Sequence, residues 1–461
     1  MTRIWHRADR AAGGLAADLT LYALSTGFAA VTAVTSTLLP HRAWGAVAAV
    51  GYLVATVAVL GQLLARRRRP ASRLAGAAGR GVLVALTWAG TGLLPLVWQA
   101  VDRAGGRLDR AQEEVLVIEH SGARLLDHGT PYLTRDTIAA LPAGEQLLGY
   151  TPYQPGMAVF GLPRAAAGTV WWTDARIWFA VATAVALLAA IRLLRRDADS
   201  GTAGRAATSG TDSRAAGRRD SALVRAVQLA TVLPVCALTL ATGGDDLPVL
   251  ALCLLALACT ARDRYLAAGL AVGLAAALKL FAWPVLLVLL IHTMVRSRRQ
   301  ADRPAGSWLT RPGPRFTVGA VGLPVVTLVP AQLVDSAALV ENVLRFPLGH
   351  GLVTSPAQSP FPGHLIAEGL PGGRLLAAAL LVATGLAIAV HLLRRPPRTA
   401  ATAALFCGYG LLAAILLMPS TRFGYLLYPV ALLAWAPALR LADRTGRATD
   451  HPHPSLAASA P

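Results

Sequence analysis

The chain has 461 residues, of which 55% are hydrophobic and 15% are charged, and its mean hydropathy is +0.52. Soluble domains carry about 25% charged residues, so this composition excludes an ordinary soluble protein. The 43 Lys and Arg residues against 24 Asp and Glu residues give a net charge of +19. The arginines stand between apolar blocks, as the positive-inside rule requires, so the charge indicates membrane topology rather than nucleic-acid binding.

The apolar residues fall into blocks, most of them long enough to cross ~30 Å of hydrocarbon as helices. We therefore predict an all-α, polytopic membrane protein with about twelve transmembrane helices. The segment 264–295 is too long for one span and contains Pro284, so two short helices are expected there. The predicted spans are residues 19–39, 43–64, 81–100, 170–191, 222–242, 247–261, 264–280, 281–295, 316–334, 374–393, 401–418 and 423–440.

The arginine clusters between the spans all fall on one side when the N-terminus, residues 1–18, is cytoplasmic. The C-terminal tail 441–461 is then cytoplasmic and is predicted to be disordered. The Gly/Ser/Ala/Arg tract 197–221 is predicted to be a disordered cytoplasmic linker. Residues 101–169 and 335–373 become two long outer loops.

The four cysteines lie in apolar blocks without CxxC spacing, which indicates core thiols rather than disulfides or a zinc site. We therefore expect no cysteine-based metal centre.

The first outer loop contains EEVLVIEHSGARLLDHGTPY, which runs from Glu113 to Tyr132. Glu114 stands at the head of this run, where a carboxylate can act as a general base. The run predicts an amphipathic helix lying on the membrane, while a solvated charged face is the plainer interpretation of the same spacing. Its apolar stripe consists of Val115, Ile118, Gly122 and Leu125.

Further along, the run GYTPYQPGMAVFGLP brings Tyr150 and Tyr153 into a segment just before the next span. These tyrosines are candidate substrate contacts, and a rigid proline-rich connector is the alternative.

Adjacent carboxylates, Asp245 and Asp246, lie between two predicted spans on the outer side. Carboxylates at a membrane boundary are solvated, paired or metal-bound. An active-site role, a shared divalent cation, and N-capping of the helix that starts at Leu247 are the alternatives.

Three cations or histidines on the outer side are candidates for binding an anionic lipid phosphate. Lys279 is the only lysine in the chain and ends an apolar helix, where it either functions or snorkels to the surface. Arg422 stands outside, against the positive-inside trend, so it needs an anionic partner or a headgroup to anchor it. His364 is a weaker candidate in the second outer loop, together with Arg345 and His350.

The stretch from Glu114 to Tyr132 resembles the first-loop signature of polyprenyl-phosphate-sugar-dependent mannosyltransferases of glycosyltransferase family 87, in which an acid precedes a short helix and a Gly-x-Pro-Tyr turn. YTPYQPGMAVF is similar to that family's aromatic-Pro-Pro segment. AAGLAVGLAAALKLFAWPVLL is similar to its Gly-rich helix ending in Lys and Pro. The resemblance covers residues 81–440 and leaves 19–80 as an extra N-terminal helix pair.

The chain departs from that family's pattern at three places. Glu114 stands where the family usually has Asp, and Gly243 to Asp246 replace a Gly-Gln-x-Asn type of turn. In the segment Ala357-Gln358-Ser359, which is similar to the family's Asn-x-Ser motif, Ala357 replaces the amide.

The resemblance implies an inverting membrane glycosyltransferase of the superfamily C type in the cell membrane. It would move mannose or another hexose or pentose from a polyprenyl-phosphate donor to a lipid or cell-envelope glycan acceptor at the outer leaflet. No cofactor is expected with certainty, a divalent cation being the alternative. The expected site comprises the catalytic acids Glu114, Asp245 and Asp246, the phosphate-binding Lys279, Arg422 and His364, and the substrate-loop residues Tyr132, Tyr150, Tyr153, Gln358 and Ser359.

Two functions from other classes fit part of the same evidence. An even number of spans with both termini in the cytoplasm also suits a secondary transporter, which should carry charges at the bilayer midplane. A non-catalytic lipid-binding membrane protein is the third alternative, because the departures at Glu114 and Ala357 are compatible with lost activity.

Overall fold

A computed structural model describes residues 11–70, 72–195, 210–300 and 311–449. These residues form helices and connecting turns without a β-strand, and a single isolated bridge joins Gln358 to Thr421. The all-α prediction is therefore confirmed. The main helices are α1 (Leu15–Thr35), α2 (Leu39–Arg68), α3 (Ala77–Ala104), α4 (Glu113–His128), α5 (Ala175–Arg195), α6 (Gly210–Thr231), α7 (Pro234–Thr242), α8 (Asp246–Ala261), α9 (Tyr265–Leu278), α10 (Trp283–Gln300), α11 (Pro312–Val334), α12 (Pro362–Gly369), α13 (Gly373–Arg394), α14 (Ala400–Leu417) and α15 (Leu427–Thr449).

Among the described residues, nine helices are long and apolar enough to cross a membrane, and α6 with α7, bent by 44°, makes a tenth if the pair is one span. The apolar helices α8 and α9, with 16 and 14 residues, are shorter than an ordinary span. Each of the twelve predicted segments corresponds to one of these helices or to the bent pair. The number that crosses the membrane stays a prediction.

Two segments predicted to be disordered are partly helical. Helix α6 begins at Gly210 and so includes residues 210–221 of the predicted linker, and α15 continues to Thr449 within the predicted tail. Alanine and arginine are good helix formers, so a helix that is apolar within the membrane extends beyond it through such residues. The remaining residues of the linker and the tail, 197–209 and 450–461, lie outside the described residues.

Small residues allow two helix pairs to approach at backbone distance. Gly269 and Gly273 of α9 face Gly319 of α11, and a Cβ atom at either α9 position would overlap a backbone carbonyl oxygen of α11. Gly45 of α2 packs in the same way against the backbone of Ala33 in α1. Close approach of small residues is a common way for membrane helices to associate. The α9–α11 contact fixes the helix whose end carries Lys279.

The N-terminal helix pair is packed into the bundle. The Trp44 indole of α2 donates to the Thr91 carbonyl oxygen at 2.7 Å, and the Tyr52 hydroxyl donates to the Val232 carbonyl oxygen at 2.7 Å. Both donors are fully buried, so these bonds satisfy groups that lipid could not. The pair is therefore structurally part of the same unit as the rest of the chain.

The two ends of the bundle differ in their polar contacts. One end, here called the arginine-rich end, contains ion pairs of Arg80 with Asp18 at 2.5 Å and of Arg296 with Asp263 at 2.9 Å. The other end, here called the site end, collects the turns that follow α3, α7, α9, α11 and α14. The arginine-rich end corresponds to the predicted cytoplasmic side.

Candidate functional site

Helix α4 carries Glu114 in its first turn, where the helix dipole favours an acidic side chain. The predicted helix is present, but its stripe of Val115, Ile118 and Gly122 is buried inside the protein, with Gly122 packed against the backbone of Gly161. The prediction that this helix lies on the membrane is therefore wrong. Its apolar face meets protein, because the turn around Gly161 has no side chain to keep the two segments apart.

Glu114 forms an ion pair with Arg422, from a guanidinium nitrogen to one carboxylate oxygen. Arg422 lies in the turn between α14 and α15, and the two side chains are 33% and 15% exposed for the arginine and the glutamate. Both groups therefore remain partly accessible. A Cβ atom at Gly243 would lie 4.0 Å from the second Glu114 oxygen, which places the α7–α8 turn beside the same carboxylate.

The α7–α8 turn presents Asp245 and Asp246 to Lys279. Gly244 adopts a left-handed conformation with φ of +89°, which favours glycine and reverses the chain before the two acids. The Lys279 ammonium donates to Asp245 Oδ2 and to Asp246 Oδ1, both at 2.6 Å, and all three residues are buried. The Tyr428 hydroxyl donates a further bond to Asp246 Oδ1 at 2.7 Å.

This arrangement decides between the alternatives left open for the two aspartates. Helix α8 begins at Asp246 with Asp245 as the preceding residue, but the Asp245 side chain makes no capping bond, so the N-cap interpretation is wrong. The Lys279 carbon chain brings a cation between the carboxylates, at the position considered for a divalent ion. The described part of the chain contains no group of three or more His, Cys, Asp or Glu side chains placed to hold a metal.

Aromatic rings surround the Lys279 ammonium. It lies 5.3 Å from the ring centroid of Tyr153 and 5.5 Å from that of Tyr425, within the range of cation–π attraction. Burial, together with the negative charge of Asp245, raises the pKa of Tyr153 well above its ordinary value. The Tyr153 hydroxyl therefore keeps its proton at physiological pH and can act only as a neutral hydrogen-bonding group.

The loop Ala357–Gln358–Ser359 supports Arg422 through the backbone. Ser359 N donates to the Thr421 carbonyl oxygen at 2.9 Å, and the Ser359 hydroxyl accepts from Phe423 N at 2.9 Å, so the loop holds the residues on both sides of Arg422. His364 Nδ1 lies 3.0 Å from the Pro419 carbonyl oxygen in the same turn. The observed contacts of Ser359 and His364 position the arginine.

The remaining predicted tyrosines hold neighbouring loops. The Tyr132 hydroxyl donates to the Tyr153 carbonyl oxygen at 2.7 Å. The Tyr150 hydroxyl donates to Glu341 Oε1 at 2.9 Å and accepts from Leu352 N at 2.8 Å. Of the three predicted tyrosines, Tyr153 is the one whose ring borders the Lys279 cluster. Arg345 lies 3.4 Å from the second Glu341 oxygen, and His350 supplies a carbonyl oxygen to Arg135.

Sequence reasoning missed a buried ion-pair network beside the site. Arg103 contacts Glu119 at 2.6 Å and Asp174 at 3.0 Å, and Arg176 contacts Asp174 at 2.8 Å. Burial alone would raise the pKa of Asp174, but the charges of Arg176 and Arg103 outweigh it and hold that pKa well below its usual range. The network ties α3, α4 and the start of α5 together. An acid and an arginine directly before an apolar block were the signal in the sequence.

Sequence reasoning also missed Gln112, which precedes α4. Its backbone N donates to the Thr242 carbonyl oxygen at 3.0 Å and its side-chain Oε1 accepts from the Thr242 hydroxyl at 3.1 Å. Its Nε2 lies 2.8 Å from His41 Nε2 in α2. Nothing in the spacing of these residues indicates contact, because they belong to three separate segments.

A family model for glycosyltransferase family 87 matches residues 150–419, which is more than half of the chain. The chain belongs to glycosyltransferase family 87. In this family 87 protein, Asp245, Asp246 and Lys279 lie within the matched residues, whereas Glu114 and Arg422 lie outside them.

Comparison with solved structures finds the crystal structure of ArnT from Cupriavidus metallidurans in the apo state, with 17% sequence identity and a TM-score of 0.41. That match covers 72% of this family 87 protein and 55% of the ArnT chain, so it spans about half the length of ArnT. No curated protein sequence matches the chain.

Proposed function

We propose that this protein is an inverting glycosyltransferase that moves a sugar from a polyprenyl-phosphate donor to a lipid or cell-envelope glycan acceptor. Family membership supports sugar transfer, and the apolar helices support a donor that is carried by a lipid. The observation that carries the proposal is the Glu114–Arg422 ion pair beside the α7–α8 turn. It brings a proton acceptor and a phosphate-binding cation into contact at one end of the bundle.

In the proposed reaction, Glu114 removes the proton from an acceptor hydroxyl while that oxygen attacks the anomeric carbon of the sugar. The bond between the anomeric carbon and the phosphate oxygen breaks, and its electron pair leaves with the polyprenyl phosphate. Arg422 stabilises the charge on the departing phosphate, because a guanidinium matches phosphate geometry and carries a fixed positive charge. Attack from the face opposite the leaving group inverts the anomeric configuration.

The ion pair also suggests an order of events. A carboxylate oxygen that is bonded to Arg422 is not free to accept the acceptor's proton. When the donor phosphate binds the guanidinium, it competes with Glu114 and releases the carboxylate for proton abstraction. Donor binding would therefore activate the base and limit reaction in its absence.

We assign the Lys279 cluster to support of the site rather than to direct phosphate contact. The Lys279 ammonium already bonds both Asp245 and Asp246, and it lies against the rings of Tyr153 and Tyr425. A phosphate would have to displace an aspartate to reach it. The partly exposed Arg422 is the better contact for the donor. The site end would face the outer leaflet of the cell membrane, with both termini in the cytoplasm.

The lipid-linked intermediates of a deletion strain test this function whatever the identity of the sugar. We expect mass spectrometry to show a glycan or glycolipid that lacks one sugar residue, and a gene copy in trans should restore it. The mass difference names the sugar. An envelope-lipid profile that is unchanged by the deletion would contradict the proposal.

A further inference from the structure

The segment after α11 forms an amphipathic helical stretch at the site end, made of Ser336–Val340 and Glu341–His350. The exposed face of this stretch, here called the apolar stripe, consists of Val340, Leu344 and Leu348, which are 38%, 48% and 73% exposed. These side chains recur every four residues and so share one face. The opposite face, with Asn342, Val343 and Phe346, is buried.

The position of the stretch identifies what covers the stripe. Helix α11 ends at Val334, and the next helical residue is Ser336, so the stretch begins where a membrane-spanning helix ends. Leu333, in the last turn of α11, is 81% exposed, and the apolar stripe continues this lipid-facing surface. Arg345, 56% exposed, stands beside the stripe, as expected of a guanidinium at the level of anionic headgroups.

We propose that the apolar stripe lies in the boundary between the headgroups and acyl chains of the bilayer, so that this stretch is an interfacial helix. Its buried face holds the substrate loop: Glu341 accepts from the Tyr150 hydroxyl, and Asn342 Oδ1 accepts from Thr151 N at 2.7 Å. Membrane contact thereby fixes the depth of the segment that leads to Tyr153 and the Lys279 cluster. This assignment does not depend on the chemistry of the site.

Depth-dependent quenching tests the placement. The full chain, with its four buried cysteines replaced, would carry Leu344→Cys labelled with bimane in nanodiscs of phosphatidylcholine and phosphatidylglycerol. Leu386→Cys on the lipid-facing side of α13 and the exposed Asp136→Cys are the matched controls. We expect lipids with a shallow doxyl group to quench the label at 344 and at 386, with weaker quenching at 136.

Two results would overturn the interfacial placement. One is a label at 344 that shallow doxyl lipids quench no more than the label at 136. The other is quenching at 344 that appears only when a second labelled copy is present in the same nanodisc, because the stripe would then be a contact between two copies of the chain.

A second, independent observation concerns the N-terminal helix pair. The Gln112 Nε2 group can only donate, so His41 Nε2 accepts its hydrogen bond at 2.8 Å. Gln112 bonds Thr242 through its backbone and side chain, and it immediately precedes the helix that carries Glu114. A Cβ atom at Gly243 would lie 2.8 Å from Gln112 Oε1, so there is little room for this side chain to move.

We infer that His41 is a positioning residue for Glu114, a role that rests on the proposed function. The N-terminal pair precedes the residues that match family 87, yet His41 orients Gln112 and Gln112 fixes the first turn of α4 against the α7–α8 turn. The pair would thus complete the reaction site as well as pack against the bundle. His41 itself is not proposed to touch substrate.

Complementation of the deletion strain tests this role. His41→Ala should lower formation of the completed glycan about tenfold or more, since small displacements of a reacting group reduce rates strongly. His41→Gln keeps an acceptor and should restore most of it, and the exposed neighbour Arg42→Ala is the control. Decaprenyl-phosphate binding by purified His41→Ala should stay within about twofold of wild type, because the loss is in turnover.

The outcomes separate the two claims. Full complementation by His41→Ala would overturn the positioning role and leave the proposed function intact. Equal failure of His41→Ala and His41→Gln, at normal protein levels and phosphate affinity, would also overturn it, because the acceptor would then be irrelevant. A deletion strain with unchanged lipids would remove the proposed function and this role with it.

Discussion

Arg422 and Glu114 form an ion pair at the site end, although one precedes the last helix and the other opens the first helix of the outer loop. The pair joins the two residues that the proposed reaction needs in contact with the same donor. Because both are partly exposed, a phosphate can reach the guanidinium without unfolding the turn. The consequences of this geometry, and of the buried charges around it, can be measured.

Arg422→Gln should weaken the binding of decaprenyl phosphate by about 1.5–3 kcal/mol, the typical worth of a charge-assisted hydrogen bond. The glutamine keeps much of the side-chain length but loses the charge. Binding can be followed by intrinsic tryptophan fluorescence in detergent. Arg107→Gln is a suitable control, since Arg107 is also at the site end, is 56% exposed and pairs with Asp109. Equal weakening in both variants would indicate a general charge effect.

Lys279→Met should destabilise the fold by about 3–5 kcal/mol, because removal of the cation leaves two buried carboxylates uncompensated. The thermal unfolding midpoint of the purified protein would report the loss. A triple variant that adds Asp245→Asn and Asp246→Asn should recover much of it, since the uncompensated charges are then gone. If Lys279→Met melts like wild type, the Lys279 cluster does not contribute to stability.

Acidification should weaken the protein through Asp174. Its pKa in the folded chain is lowered, so its stabilising contribution is complete above the ordinary aspartate pKa of about 3.9 and is lost as the pH falls below that value. The difference in melting temperature between wild type and Asp174→Asn should therefore be constant near neutrality and shrink below about pH 4. Asp136→Asn, which changes an exposed carboxylate at the same end, should show no such difference at neutral pH.

Gly273→Ala should destabilise the chain by about 1–3 kcal/mol through overpacking. The added methyl group would overlap the Gly319 carbonyl oxygen of α11, and neither backbone can retreat easily from the interface. Gly322→Ala is the matched control in α11, because no atom lies within 4 Å of the position its Cβ would take. Similar melting temperatures for the two variants would show that the α9–α11 contact tolerates separation.

The helices were predictable because their signals are local. Apolar blocks gave the positions of all twelve predicted segments, and the interruption of 264–295 was expected, although the break occurs around Lys279 and Pro284 lies inside the first turn of α10. Proline is tolerated in a first helical turn, where the missing N–H has no partner anyway. The helix ends at residues 210 and 449 were missed because propensity is a weak guide without a packing context.

The site was only partly predictable because its contacts join distant segments. The sequence singled out Glu114, Arg422 and Lys279 one by one, but it could not indicate that the first two form a pair or that the third binds adjacent acids. Asp245 illustrates the reason: local preference favoured an N-cap, and the nearby ammonium provides a stronger partner for the same carboxylate.

The most direct test of the proposed function compares Glu114→Gln with Glu113→Gln in the deletion strain and with purified protein. Glu113 is the neighbouring acid on the same helix and points about 100° away, so it is the matched control. We expect Glu114→Gln to reduce sugar transfer by about 10² to 10⁴ while decaprenyl phosphate still binds, and Glu113→Gln to be much milder. Near wild-type transfer by Glu114→Gln would contradict the assignment of Glu114 as the general base.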